Sequence, residues 1–487
     1  MADARSVSGD SVSLAANSTS TSNLVDQTYQ VYKRRWFILF VICLLNISNA
    51  MVWITFSPIA DVTAEKFKVD AFKVNVLSLV FLICSVPFGF CASWVLDTFG
   101  LRSSILLSAW LNGIGALLRN VSVFDGIDDS ARYPILLLGQ TLAACAQPFV
   151  MFAPTKLAAL WFAGNQRATA NMLASMANPL GILTANVIVP AMVTSCDGHD
   201  IPSALWVMTG ISLTGTMMAT FGVCSSTPPT PPTASAEEDS EKFIDGLKKL
   251  LKNKNYWVLN ITFGAGLAIF TSFTTFLDQI LCPKGYSNSF AGLCGALMIA
   301  GGVLGAVVSG IYVDRSKKFA EVIKFSYAGA VMAGLAFTQV ARLRDQSVLA
   351  ATCITLFGVF GFAMYPISME MSVEVTYPVA EATSSGLLIV SGQIQGIIII
   401  LVLQFLAQPL SPEDLAIGTG CSGGCSGNST SQFTPQEWTV PNLVANGYAV
   451  IAVCIVLLLL RPDYKRLKAE KKILAERILN ISHDLRS

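Results

Sequence analysis

Six side chains stand near the middle of long apolar runs: Trp53, Gln147, Asn178, Phe270, Phe273 and Gln393. A polar group in hydrocarbon is costly, so an amide at that depth is a candidate for holding a solute. The plainer alternative gives the rings to packing and the amides to interhelical contacts worth about 0.6 kcal/mol each. A second set lies at the ends of such runs. Asp97, Gly100 and Arg102 follow the second run, Asp314 and Arg315 follow the eighth, and Glu370 and Glu374 close the tenth. Charges there suit pairing across helix ends, and Glu370 and Glu374 are expected to pair with Lys156 or Arg167. Nothing in the chain suggests bond-making chemistry: it holds no nucleophile triad, zinc-ligand spacing or phosphate loop, which argues against an enzyme or an ATP-driven pump. The two histidines, His199 and His483, fall in a loop and in the tail, so no imidazole reaches the apolar runs to ligate haem. No cofactor or metal is expected.

The runs that carry these residues set the class. At 487 residues, 53% hydrophobic and 13% charged, the chain is too apolar for a soluble globule and reads as an all-α polytopic membrane protein. A formal net charge of +1 gives no reason to invoke nucleic acid. The expected partners are the lipid bilayer and a small-molecule substrate, with the chain acting as a monomer. Spans of the length a bilayer requires are expected at Trp36–Ala60, Phe72–Trp94, Ser103–Leu118, Tyr133–Ala153, Thr169–Val193 and Leu205–Cys224. Six more are expected at Tyr256–Leu281, Phe290–Val313, Val322–Ala341, Val348–Met369, Ser384–Leu406 and Leu443–Leu460. Between the halves, Ser225–Asn255 is polar. Its Pro/Ser/Thr-rich start gives way to an amphipathic helix around Phe243–Leu251, suited either to an anionic leaflet or to a solvated connector. The chain thus divides into a disordered N-terminus (1–35), a six-helix half (36–224), a linker (225–255), a second six-helix half (256–460) and a C-terminal tail (461–487).

Basic residues near the span ends orient the chain. Lys33–Arg35, Lys248–Lys254, Arg315–Lys318 and Arg461–Lys468 fall on one side, so both termini and the linker are expected in the cytoplasm. The loop before the last span is then outside, and its Asn428-Ser-Thr430 sequon is expected to be glycosylated. Asn120-Val-Ser122 also faces out, but close to the membrane. In the same outer loop Cys421 and Cys425 flank a Ser-Gly-Gly turn and either pair or remain thiols.

An internal repeat links the two halves. Ser93-Trp-Val-Leu-Asp97-Thr-Phe-Gly100-Leu-Arg102 returns as Gly310-Ile-Tyr-Val-Asp314-Arg315-Ser-Lys317-Lys318, and Ala168-Thr169 returns as Ala382-Thr383. The pattern resembles the cytoplasmic loop motif of the major facilitator superfamily, with Ser93 in place of the first glycine. That resemblance implies a major facilitator fold of two six-helix halves. It also implies a gate in which the Asp meets a neighbouring helix N-terminus and the Arg completes a charge cluster.

A narrower set of residues resembles the feline leukaemia virus subgroup C receptor-related carriers of solute carrier family 49, nearest to an orphan branch. It comprises Tyr32–Trp36, Asn49-Ala50 with Trp53, Gly139-Gln140, Ala146-Gln147, Leu160–Phe162, Glu374–Pro378 and Thr383–Leu388. This implies a carrier for a small organic solute, an amino alcohol or organic cation such as choline or ethanolamine, with haem or a vitamin-like solute as alternatives. A non-transporting receptor or scaffold on the same fold is the reading from a different class. In the resembled carriers Trp53 and Gln393 match an aromatic wall and a polar partner for a quaternary ammonium, which a Trp face attracts. Where choline-handling relatives are expected to carry Tyr beside the seventh-span Phe, this chain has Thr271. No mid-span acid suggests proton coupling, so a facilitator at the plasma membrane is expected.

Overall fold

The computed structural model describes residues 30–484 apart from 70, 125, 194–197, 234–242, 287 and 410–435. Backbone that crosses hydrocarbon must satisfy its own hydrogen bonds, and among the described residues the spanning segments are all helical. Twelve of the helices are long and apolar enough to cross a membrane. In the first half they are α1 (Arg34–Ile54), α3 (Ala71–Thr98), α4 (Gly100–Val121), α5 (Asp129–Met151) continued by α6 (Ala153–Trp161), α7 (Arg167–Met192) and α8 (Ile201–Gly222), with the short α2 (Ala60–Phe67) between the first two. The second half contains α10 (Lys254–Leu281), α11 (Asn288–Ser316), α12 (Phe319–Val340), α13 (Ser347–Thr376), α14 (Glu381–Leu406) and α15 (Thr439–Leu459). Most helices outrun the apolar windows that announce them, because a helix continues past the hydrocarbon until its ends are capped or turned.

The linker helix α9 (Phe243–Lys252) turns Gly246 and Leu250 inward, with Gly246 against Val379, and leaves Ile244 and Leu251 exposed. The stretch after the last span is not a plain tail. A twenty-residue helix, α16 (Lys465–Asp484), forms there, and its Arg466 is 1% exposed. We call the end of the bundle that carries α9 and α16 the linker end, and the opposite one the far end.

Each half is cemented by small and polar residues. Asn49 Nδ2 donates to Asn112 Oδ1 and to the Ala143 carbonyl, both at 2.9 Å, and Asn112 donates to Ser48 at 3.1 Å. In the second half α11 and α13 cross so closely that a Cβ at Gly358 would lie 2.0 Å from the Met298 carbonyl oxygen. Outward-facing positions remain apolar, Phe405 being 88% exposed, as a lipid-facing surface requires. The halves meet as related pairs, α3 against α14 and α7 against α11, repeating in space the repeat in sequence. Asn120 is buried and donates to Thr209 at 2.6 Å, so its sequon is closed to modification. At the far end Gln408–Pro409 pairs antiparallel with Gln436–Glu437. The intervening Asn428, Cys421 and Cys425 lie outside the described residues.

Candidate functional site

At the linker end two carboxylates cross between the halves. Asp97, in the last turn of α3, accepts from the Thr383 backbone N–H at 2.9 Å and from the Thr383 hydroxyl at 2.6 Å, at the start of α14. Asp314, near the end of α11, accepts from the backbone N–H groups of Ala168 (2.9 Å) and Thr169 (2.7 Å) and from the Thr169 hydroxyl (2.5 Å), at the start of α7. The first turn of a helix offers unpaired N–H groups and the positive end of its dipole, which suits a carboxylate.

The charges around these two differ from the sequence expectation. Lys156 on α6 lies 3.3 Å from Asp97 and 2.9 Å from Glu381. Arg102 turns away, its Nε donating to the Val223 carbonyl at 3.0 Å, so it caps α8 and does not join the cluster. Gly100 allows that turn at φ +84°, where a Cβ would sit 2.8 Å from Ser226 Oγ. Arg315 is exposed, while Lys317 approaches Asp314 at 3.9 Å and donates to the Gly164 carbonyl of the first half. Burial pulls the Lys317 ammonium below its usual range, and Asp314 opposes that. Glu370 and Glu374 are buried; Lys156 pairs elsewhere, while Arg167 attracts both acids and the tail adds contacts that the sequence did not suggest. Arg466 Nη1 is 3.8 Å from Glu370, and the Leu467 N–H donates to Glu374 at 3.2 Å. Burial lowers the Arg466 pKa, and Glu370, Glu381, Glu374 and Glu470 more than reverse it, holding the guanidinium above its usual value.

Beyond this layer the contact between α3 and α14 is apolar, while on the other side Asn171 of α7 donates to the Pro366 carbonyl of α13 at 3.3 Å. Val390 of α14 packs on Gly89 of α3, and Phe152, where α5 breaks into α6, packs on Gly386. One turn further lie the amides. Ser85 on α3 donates to Gln147 Oε1 at 3.1 Å, and Gln393 is half-buried on α14. At ~1.5 Å per residue, Ser85 lies ~18 Å from Asp97 and Gln393 ~15 Å from Thr383, near the middle of a ~30 Å hydrocarbon core. Asn178 on α7 is 8% exposed, and its Nδ2 has no hydrogen-bond partner among the described residues. It stands ~17 Å from the start of its helix by the same rise.

The rings separate into three settings. Phe270 packs on Phe362 with ring centroids 4.7 Å apart and planes tilted by 57°, in a cluster that also holds Met172 and Met176 of the first half, so it lies between the halves. Trp53 donates its indole N–H to the Ser78 carbonyl at 3.1 Å, with its ring 6.3 Å from Phe81. It lies ~28 Å along α1 by the helical rise, hence nearer the far end than Gln393. Phe273 is 3% exposed between Phe337 (5.7 Å) and Phe357 (5.0 Å), inside the second half. The Thr271 hydroxyl is spent on the Leu267 carbonyl of its own helix at 2.9 Å.

Glu381, Ser85, Arg466 and Glu470 were missing from the sequence candidates, and Lys156 entered them only as a partner for Glu370 or Glu374. Glu381 carried a faint signal, an acid in a helix's first turn beside the Thr383-Ser-Ser-Gly run. Arg466 carried none, because a basic residue beyond a last span ordinarily marks orientation.

The Major Facilitator Superfamily model matches residues 42–400. Solute carrier family 49 member A3 of Xenopus tropicalis is 47% identical over 91% of this chain and 90% of its own length, and that of Danio rerio is 47% identical over the same shares. The human choline/ethanolamine transporter FLVCR2 is 29% identical over 76% of this chain and 71% of its own. Among solved structures, the transporter FucP in its outward conformation superposes with a TM-score of 0.65 at 12% identity, covering 87% of this chain and 99% of that one, a likeness of fold alone. A carboxylate-capped helix start at each of two symmetry-related crossings, twelve spans in two halves and relatives this similar over nine-tenths of their length converge: the chain is a multi-pass membrane transporter, not an enzyme, and belongs to the major facilitator superfamily and, within it, to solute carrier family 49.

Proposed function

We propose that this protein is an alternating-access facilitator for a small organic cation, an amino alcohol such as choline or ethanolamine. In this reading the linker end is the cytoplasmic end, and the layer built on Asp97 and Asp314 is a gate in its closed state. The observation that carries the reading is the level just beyond that gate, where both halves contribute polar groups at one depth. Gln147 and Asn178 come from the first half and Gln393 from the second. A carrier must hold its substrate from both sides while the halves rock, so it needs groups from each half near the midplane. The amides suit the hydroxyl of an amino alcohol. Trp53 and Phe270, toward the far side, offer faces to its ammonium, each worth up to ~2 kcal/mol when desolvated. Phe273 is assigned to packing. With Thr271 turned onto its own helix, the cage has fewer rings around the ammonium, which favours the compact ethanolamine headgroup at least as much as choline. The choline/ethanolamine name of FLVCR2 supports the substrate class.

Ligand binding to the native state raises the melting temperature with concentration. Choline or ethanolamine is expected to stabilise the purified protein in detergent in this way, and Gln393→Ala is expected to weaken the effect. Stabilisation by neutral or anionic solutes with none by either amino alcohol would overturn the assignment.

A further inference from the structure

The first turn of the helix after the last span tucks Arg466, 1% exposed, into the bundle, where a free tail would have no reason to place it. Arg466 lies 3.8 Å from Glu370 on α13, 4.0 Å from Glu381 on α14 and 3.9 Å from Glu470 one turn along its own helix. The Leu467 N–H caps Glu374, and the Tyr464 hydroxyl accepts from the Ala320 N–H at 3.2 Å, with its ring 5.8 Å from Phe319. These contacts seat α16 on the second half. A further contact reaches the other half, because Glu470 Oε1 accepts from Arg167 Nη1 at 2.9 Å, at the first residue of α7. Glu381 is shared in the same sense, with Lys156 of the first half at one oxygen and Arg466 of the tail at the other. Charges of alternating sign therefore run from Asp97 through Lys156, Glu381, Arg466 and Glu470 to Arg167, crossing between the halves at both ends.

We propose that α16 is a built-in latch on the linker-end gate: seated on the second half by Arg466, it grips the first half through Glu470 and Arg167 and makes the closed gate more stable than Asp97 and Asp314 alone would. Opening this end moves α6 and α7 away from α13 and α14, so the Glu470–Arg167 pair breaks while the Arg466 contacts within the second half persist. An ion pair that exists in one state and not the other biases the equilibrium between them. Arg466 has the further task of holding three buried acids, Glu370, Glu374 and Glu381, in one place, since buried charge without a partner is costly. Glu470 supplies the coupling and Arg466 positions it.

The Thr155 and Ser385 hydroxyls face each other across the halves at 2.6 Å and provide a reporter that needs no substrate. A Thr155→Cys, Ser385→Cys pair in the full-length chain, with a protease site in the linker, reads the closed state as disulfide-joined halves on a gel. Glu470→Gln leaves Arg466 its contacts with Glu370 and Glu381 and is expected to slow cross-linking about fivefold, at the lower end of allosteric coupling. Arg466→Gln is expected to slow it further. A Glu470→Gln chain that reaches the membrane and cross-links at the unaltered rate would overturn the latch. Failure of Glu470→Gln to reach the membrane would also overturn it, by making the contact a folding one.

Discussion

Asp97 is held by three groups at once: the helix start at Thr383, the Thr383 hydroxyl and the Lys156 ammonium. Asp97→Asn keeps the shape but removes the charge that faces a dipole and a cation. It is expected to cut transport severalfold while surface expression stays near normal, as a contact that biases a gate between two states should. Uptake measured beside surface biotinylation checks this, and joint loss of both would make Asp97 a folding residue. Trp53→Ala is expected to raise the half-saturation concentration for a cationic substrate strongly and Trp53→Phe mildly, following ring quadrupole strength. Gln393→Ala is expected to weaken binding by about 1–3 kcal/mol, the range for an unsatisfied buried partner. Concentration series on variants that still reach the membrane decide, and equal tolerance of alanine at both positions would return them to packing. The legibility of these residues was uneven for a physical reason. Asp97 and Asp314 stand at matching places in a repeat, and a repeated acid beyond an apolar run is visible in one dimension. The cation each one meets depends on which helix lies opposite, and that is fixed by packing, so Lys156 and Glu381 were not visible as partners of Asp97.

Among elements, the spans were legible because twenty apolar residues in a row have few other folds available. Their ends were not, since α3 runs to Thr98 and α13 to Thr376, beyond the apolar windows. The α3–α4 corner turns on Gly100, whose positive φ lets Arg102 reach the end of α8. Gly100→Ala places a Cβ in the left-handed region and against Ser226, a strain of about 1–3 kcal/mol. A lower melting temperature in detergent is the expected result, and an unchanged one would show that the corner relaxes freely. The tail helix escaped sequence reading altogether. Its charged, low-hydropathy residues look solvated, and only the buried acids at the ends of α13 and α14 reveal what Arg466 serves.

At the scale of the molecule, the proposed orientation rests on the charge bias of the loops. Asn428→Gln is expected to increase gel mobility by one glycan. An unchanged band, with that position labelled only from the cytosol, would overturn the proposed orientation. The fold class and family came through from the sequence because they rest on length, repeat and motif, whereas the substrate rests on a few ångströms between side chains of different halves. Phe270 and Phe273, three residues apart, looked alike in the sequence and ended in different places, one between the halves and one inside the second. The central claim is that both halves grip one organic cation and pass it down its gradient. Uptake of labelled choline and ethanolamine into proteoliposomes holding the purified full-length protein tests it most directly. The account predicts saturable uptake of at least one of them without a proton or sodium gradient, greatly reduced by Gln393→Ala and by Asn178→Ala, one from each half. Absence of uptake of both, by protein that remains folded in the vesicles, would contradict it.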